Sequence, residues 1–64
     1  MVIINGKEEK AAGKTIAEYL VEKGYNPERV VAEKNLEIIP KSAYGETLIE
    51  DGDSLEILNF VGGG

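Results

Sequence analysis

Asp51-Gly52-Asp53-Ser54-Leu55-Glu56-Ile57-Leu58-Asn59-Phe60-Val61-Gly62-Gly63-Gly64 closes the sequence. Asp-Gly-Asp is a tight-turn signal, and Leu55 to Val61 reads as a strand that runs straight into three glycines. Period-two alternation sends Leu55, Ile57 and Asn59 to one face and Glu56, Leu58 and Phe60 to the other. Leu55 and Ile57 are expected to face a covering helix, which puts Leu58 and Phe60 on the uncovered side, near Val2 or Ile4 of a neighbouring strand. Exposed apolar residues beside a chain end suggest a docking patch, so Leu58, Phe60, Ile4 and Val61 are the candidate partner-binding residues. The competing arrangement has a bulge that folds Phe60 into the core.

The partner for this strand lies at the other end of the chain. Val2 to Ile4 is a β-branched run, and Asn5-Gly6 is the dipeptide best suited to a type I′ turn, so a hairpin should return through Lys7 to Ala11. Lys7-Glu8-Glu9-Lys10 is poor core material but suits a sheet edge, where charges discourage pairing with other chains. Thr15-Ile16-Ala17-Glu18 carries a capping-box pattern. It predicts a helix from Ile16 to Lys23, with Ile16, Tyr19 and Leu20 as its buried stripe and Gly24 as its stop. Tyr19 reads as a core-edge residue. Asn26-Pro27 turns the chain, Val30-Val31-Ala32 and Leu36-Glu37-Ile38-Ile39 read as two strands about a turn near Asn35, and Lys41 to Tyr44 as one helical turn.

Two strands, a helix and three further extended pieces give an α+β order. Placing the first and last apolar runs side by side at the centre yields the β-grasp, ubiquitin-like arrangement: a mixed sheet of four to five strands with one main helix on one face. Residues 1–61 read as one domain and 62–64 as a flexible glycine tail.

Composition narrows the chemistry. The 64 residues contain no Cys and no His, which removes disulfides, thiolate nucleophiles, the usual zinc ligands and the imidazole base. The carboxylate pairs lack a partner base, and Gly6, Gly13 and Gly24 match no phosphate-loop spacing; the chain does not read as an enzyme. The net charge is −5, and the excess lies entirely beyond Lys41, in Glu46, Glu50, Asp51, Asp53 and Glu56. An end so acidic repels phosphate backbones, so nucleic acid is not expected as a partner and a basic protein surface is. No stretch reads as a membrane span or signal peptide, and the absence of Cys agrees with a cytoplasmic location.

Asn5, the Gly13-Lys14-Thr15 approach to the helix, Asn35 to Pro40 with Lys41-Ser42-Ala43-Tyr44, Asp51-Gly52-Asp53-Ser54-Leu55-Glu56-Ile57 and the final Gly63-Gly64 together resemble the ThiS family of sulfur carriers in thiamine biosynthesis. Leu36 departs from the pattern, standing where relatives have a small turn residue, and Tyr44 stands where Trp is expected. The resemblance implies that an E1-like (ThiF-like) adenylyltransferase uses ATP to adenylate the Gly64 carboxylate. A sulfur donor such as a cysteine desulfurase then converts it to a thiocarboxylate, a covalent 1-thioglycine, which a ThiG-like thiazole synthase consumes. No permanently bound cofactor is implied. Gly62-Gly63-Gly64 fits that use because glycine lacks a Cβ and can thread a channel closed to larger residues. Three alternatives stay open: a small-subunit-like carrier of molybdopterin synthase, a protein modifier joined through Gly64 to lysines, and an interaction module whose tail has no chemistry.

Overall fold

The computed structural model describes residues 1–60. Asn5 and Gly6 sit at φ of 50° and 82°, the left-handed pair that a type I′ turn requires. They join β1 (Val2–Ile4) to β2 (Lys7–Glu9) in antiparallel register. The return strand stops two residues earlier than its sequence suggests. Val2 pairs with Glu9, so β1 is used up, and Ala11 leaves the sheet to sit in the core at 2 % exposure.

The helix α1 covers Ile16–Glu22. Thr15 Oγ1 accepts from the Glu18 N–H at 3.1 Å while Glu18 Oε1 accepts from the Thr15 N–H at 2.8 Å, the reciprocal bonding of a capping box. At the other end Gly24 (φ 82°) donates to Val21 and Tyr25 to Leu20, the paired bonds of a Schellman motif. Ile16, Tyr19 and Leu20 are its buried residues. Lys23 stands outside the helix as its C-cap.

After a 3₁₀ turn at Pro27–Arg29 come β3 (Val30–Lys34) and β4 (Glu37–Ile39), then a second 3₁₀ turn at Lys41–Ala43 and finally β5 (Ser54–Asn59). Leu36 is not a strand residue. Lys34 pairs with Glu37, which leaves Asn35 and Leu36 as a two-residue turn at φ of 51° and 71°; the second strand therefore begins only at Glu37.

The strand order is β2-β1-β5-β3-β4. β1 and β5 run parallel at the centre and the other pairs are antiparallel, giving the mixed five-stranded sheet expected, with charged β2 at one edge. Val2, Ile4, Ile16, Leu20, Ile49 and Leu55 are each at most 3 % exposed and pack together between sheet and helix. Burying such side chains is the main favourable term for so small a chain. Tyr44, 4 % exposed, spans the core with its hydroxyl accepting from the Ala32 N–H at 3.0 Å and donating to the Val30 carbonyl at 3.3 Å.

β5 is assigned only to Asn59. Beyond Val30, which pairs with Asn59, β3 gives way to the 3₁₀ turn, and Phe60 N–H makes a single bond to the Arg29 carbonyl at 2.9 Å. Val61 and the Gly62-Gly63-Gly64 tail lie outside the described residues.

Candidate functional site

β5 is the strand that carries the chain toward its glycine tail, and it is gripped from both edges. On one side it follows β3 in unbroken register from Lys34–Leu55 to Val30–Asn59. On the other it meets β1 at Ile3–Ser54 and Ile4–Leu55. The pairing contains no bulge: Leu55 and Ile57 face the core at 1 % and 5 % exposure, while Leu58 and Phe60 face out at 46 % and 60 %, and the buried alternation ends at Asn59, which is exposed.

The outer face around them is built from alternate residues of each strand. Val31 lies opposite Leu58, and Glu33 lies opposite both Glu56 and Ile38. Ile4 is not part of this face. It sits beside inward-facing Leu55 in a parallel register and shares its direction, so it is buried at 3 %, and Val2 with it; Ile3 is the outward residue of β1. Val61, Gly62, Gly63 and Gly64, the remaining candidate site residues, fall outside the described residues.

Phe60 borders an open depression of about 320 Å³ with Val31, Glu28, Arg29 and Lys41. Lys41 Nζ donates to the Glu28 carbonyl at 2.6 Å, which holds that ammonium beside the depression. Two cations thus stand near Phe60, where the linear sequence suggested only an acidic rim. Arg29 and Lys41 come from segments well before the acidic third, and tertiary placement brings them to Phe60: Arg29 through its carbonyl, which accepts from the Phe60 N–H, and Lys41 through its bond to the Glu28 carbonyl.

The five acidic residues of that third also divide. Glu56 lies on the outer face, whereas Asp51 bonds the Met1 ammonium. Asp53 is buried at 8 % exposure, with Oδ2 accepting from the Glu50 N–H at 2.8 Å and lying 3.3 Å from Lys34 Nζ. Burial alone would push its carboxyl up, but the Glu50 N–H, the Asn35 amide and the Lys34 ammonium outweigh that and hold it below the usual carboxylate range. Asp53 organises the turn that starts β5.

The Tyr19 phenol is pushed up to about 12, first by burial and then by the Glu9 carboxylate, to which its hydroxyl donates at 3.2 Å. That hydrogen bond ties α1 to β2. Among the described residues no group of three acidic side chains is placed to hold a metal ion, and no helix is long and apolar enough to cross a membrane.

A mixed five-stranded sheet crossed by one helix, with a central strand pointing into a glycine tail, defines a ubiquitin-like β-grasp protein. The sequence profile of the ThiS family matches residues 2–64, and the chain belongs to that family. It is 40 % identical over 67 aligned positions to the sulfur carrier protein ThiS of Bacillus subtilis, with both chains covered in full. It is 45 % identical over 64 residues to a thiazole synthase of Paramagnetospirillum magneticum, covering 98 % of this chain but only 20 % of that protein's length. The crystal structure of the thiamine biosynthesis protein ThiS from Geobacter metallireducens superimposes with a TM-score of 0.78 at 34 % identity, over 98 % of this chain and 97 % of the other.

Proposed function

We propose that the chain is a sulfur carrier of thiamine biosynthesis whose working group is the carboxylate of Gly64. The observation that carries this reading is the family match through residue 64, on a fold whose central strand leads into the glycine tail. A carboxylate is a poor electrophile until it gains a leaving group. An E1-like adenylyltransferase supplies one: a Gly64 carboxylate oxygen attacks the α-phosphorus of ATP, pyrophosphate leaves, and an acyl adenylate forms. The terminal sulfur of a donor persulfide, such as that of a cysteine desulfurase, then displaces AMP to form an acyl disulfide. A thiol reductant cleaves the S–S bond to release a thiocarboxylate, 1-thioglycine. Thiazole synthase takes the sulfur and returns the carboxylate. The carrier is a recycled co-substrate and performs no catalysis.

That partner assignment is supported by the Paramagnetospirillum thiazole synthase, in which a segment similar to this chain makes up a fifth of the protein. A carrier and its acceptor joined in one polypeptide meet at high effective concentration. Docking on a partner enzyme is made by surface contacts. Leu58 and Phe60 form the apolar anchor for the partner enzymes, Arg29 and Lys41 flank it, and the arrangement brings Gly64 to the reacting centre.

Genetic complementation tests the proposal. A bacterium lacking its own thiamine sulfur carrier should grow without thiamine when given this chain, and should fail when the chain lacks Gly63 and Gly64. Growth with the truncated chain would show that the tail does no chemistry.

A further inference from the structure

β1 ends before the strand it supports. Its parallel pairing with β5 covers only Ile3–Ser54 and Ile4–Leu55, while β5 continues to Asn59. Alternate residues of a strand turn their N–H and C=O to opposite edges, and on the β1 edge these belong to Asp53, Leu55, Ile57 and Asn59. Ile3 N–H donates to the Asp53 carbonyl at 2.9 Å, and Asn5 N–H to the Leu55 carbonyl at 3.0 Å. A side chain fills the next rung. Asn5 Oδ1 accepts from the Ile57 N–H at 2.8 Å, and Asn5 Nδ2 donates to the Ile57 carbonyl at 3.4 Å.

The carboxamide of Asn5 therefore stands in for the backbone of a strand residue that β1 does not have. Only a short amide fits both demands of the position. It offers one donor and one acceptor in a plane, and Asn tolerates the left-handed φ of 50° better than most residues. Asp would accept from the Ile57 N–H but face the carbonyl with a second acceptor. Gly would suit the turn and offer nothing. Past Ile57 no residue of β1 remains to meet Asn59, so among the described residues this clamp is the last attachment on that edge.

We infer that Asn5 is a positioning residue of the carrier. By fixing Ile57 on the β1 edge it holds the end of β5, from which the sequence continues to Gly64, in one position for the activating enzyme. The inference rests on the carrier reading above. Small misplacements of a reacting group are costly to a reaction that depends on alignment. A residue nearly sixty positions from Gly64 thereby acts on the chemistry there.

The experiment compares Asn5→Gly and Asn5→Asp with the unaltered chain. Gly keeps the type I′ turn and removes the clamp; Asp keeps half of it. Amide hydrogen exchange at Ile57 is measured by NMR, and tail activation by pyrophosphate release with the E1-like enzyme, well below the melting temperature. In Asn5→Gly the Ile57 amide should exchange about tenfold faster, as expected for loss of a hydrogen bond. The kcat/KM for activation should fall about fivefold or more, mainly in kcat, with Asn5→Asp intermediate. Ile49→Val, which removes a buried methyl group from the core away from the clamp, should leave kcat/KM unchanged. Activation of Asn5→Gly at the unaltered rate, an unchanged Ile57 exchange rate, or an equal loss in Ile49→Val overturns the inference alone. If the unaltered chain is not activated by an enzyme shown to work on another carrier, the carrier reading falls and this inference with it.

Discussion

Asn35 and Asp53 meet through a 3.1 Å hydrogen bond from amide Nδ2 to carboxylate Oδ1, tying the tip of the β3–β4 hairpin to the turn that launches β5. Asn35 Oδ1 in turn accepts from the Ser54 N–H at 2.9 Å, and Lys34 reaches both Asp53 and the Leu48 carbonyl. Two loops distant in sequence are thereby fixed as one unit beneath the strand that leads to the tail.

The lowered pKa of Asp53 makes this unit sensitive to acid. The folded state binds the Asp53 proton less readily than the unfolded chain does, so the stabilisation is fully present above the ordinary carboxylate pKa. It is lost as pH falls through the depressed folded value. Urea midpoints should drop below about pH 4, and Asp53→Asn should flatten that acid limb. At neutral pH the same substitution should cost about 1–3 kcal/mol, as expected where hydrogen bonds to a buried charged group are lost. An unchanged acid limb in Asp53→Asn would remove Asp53 from the account.

Leu36 is held at φ 71° with 91 % of its surface exposed. A left-handed conformation costs a non-glycine residue about 1–2 kcal/mol, and here no buried contact offsets it. Leu36→Gly should raise stability by about 1 kcal/mol, part of the gain being offset by the greater entropy of glycine in the unfolded chain. That corresponds to roughly 4–8 °C in melting temperature for a domain of this size, readable by calorimetry.

Tyr44 uses its hydroxyl as both donor and acceptor inside the core. Tyr44→Phe removes an oxygen and strands the Ala32 N–H, at an expected cost of about 1–3 kcal/mol with the fold retained. Chemical denaturation measures it, and an unchanged midpoint would mean that Ala32 finds another partner.

Phe60 is exposed enough to be replaced without unfolding the chain. Phe60→Ala should change stability by less than about 0.5 kcal/mol, yet weaken binding to the E1-like enzyme about tenfold if it is an interface anchor. Arg29→Glu should act mainly on the association rate, with a loss that shrinks as salt is raised. Calorimetric titration and stopped-flow kinetics separate the two.

Local signals were legible wherever a short motif has one geometry: Asn5-Gly6 gave its turn, Thr15 to Glu18 its capping box, Gly24 its helix stop. The neighbouring positions of β1 and β5 followed from apolar runs that only a sheet centre can bury. What escaped depends on register. Alternation alone puts Ile4 beside Phe60, since it does not say which face of a three-residue strand turns inward; the parallel pairing with Leu55 decides that. Leu36 suits a strand by propensity, which the two-residue closure between Lys34 and Glu37 overrides. Arg29 and Lys41 belong to the site only through tertiary placement, and the role of Asp53 was hidden by its charge, which reads as solvent-facing until its three partners converge.

Intact-protein mass spectrometry shows whether Gly64 takes up sulfur. The chain is incubated with ATP, magnesium, the E1-like enzyme, cysteine and a cysteine desulfurase, then fragmented. The carrier account predicts a mass gain equal to sulfur replacing oxygen, confined to the fragment that ends at Gly64. No gain, with both enzymes active on a known carrier in the same experiment, would contradict it.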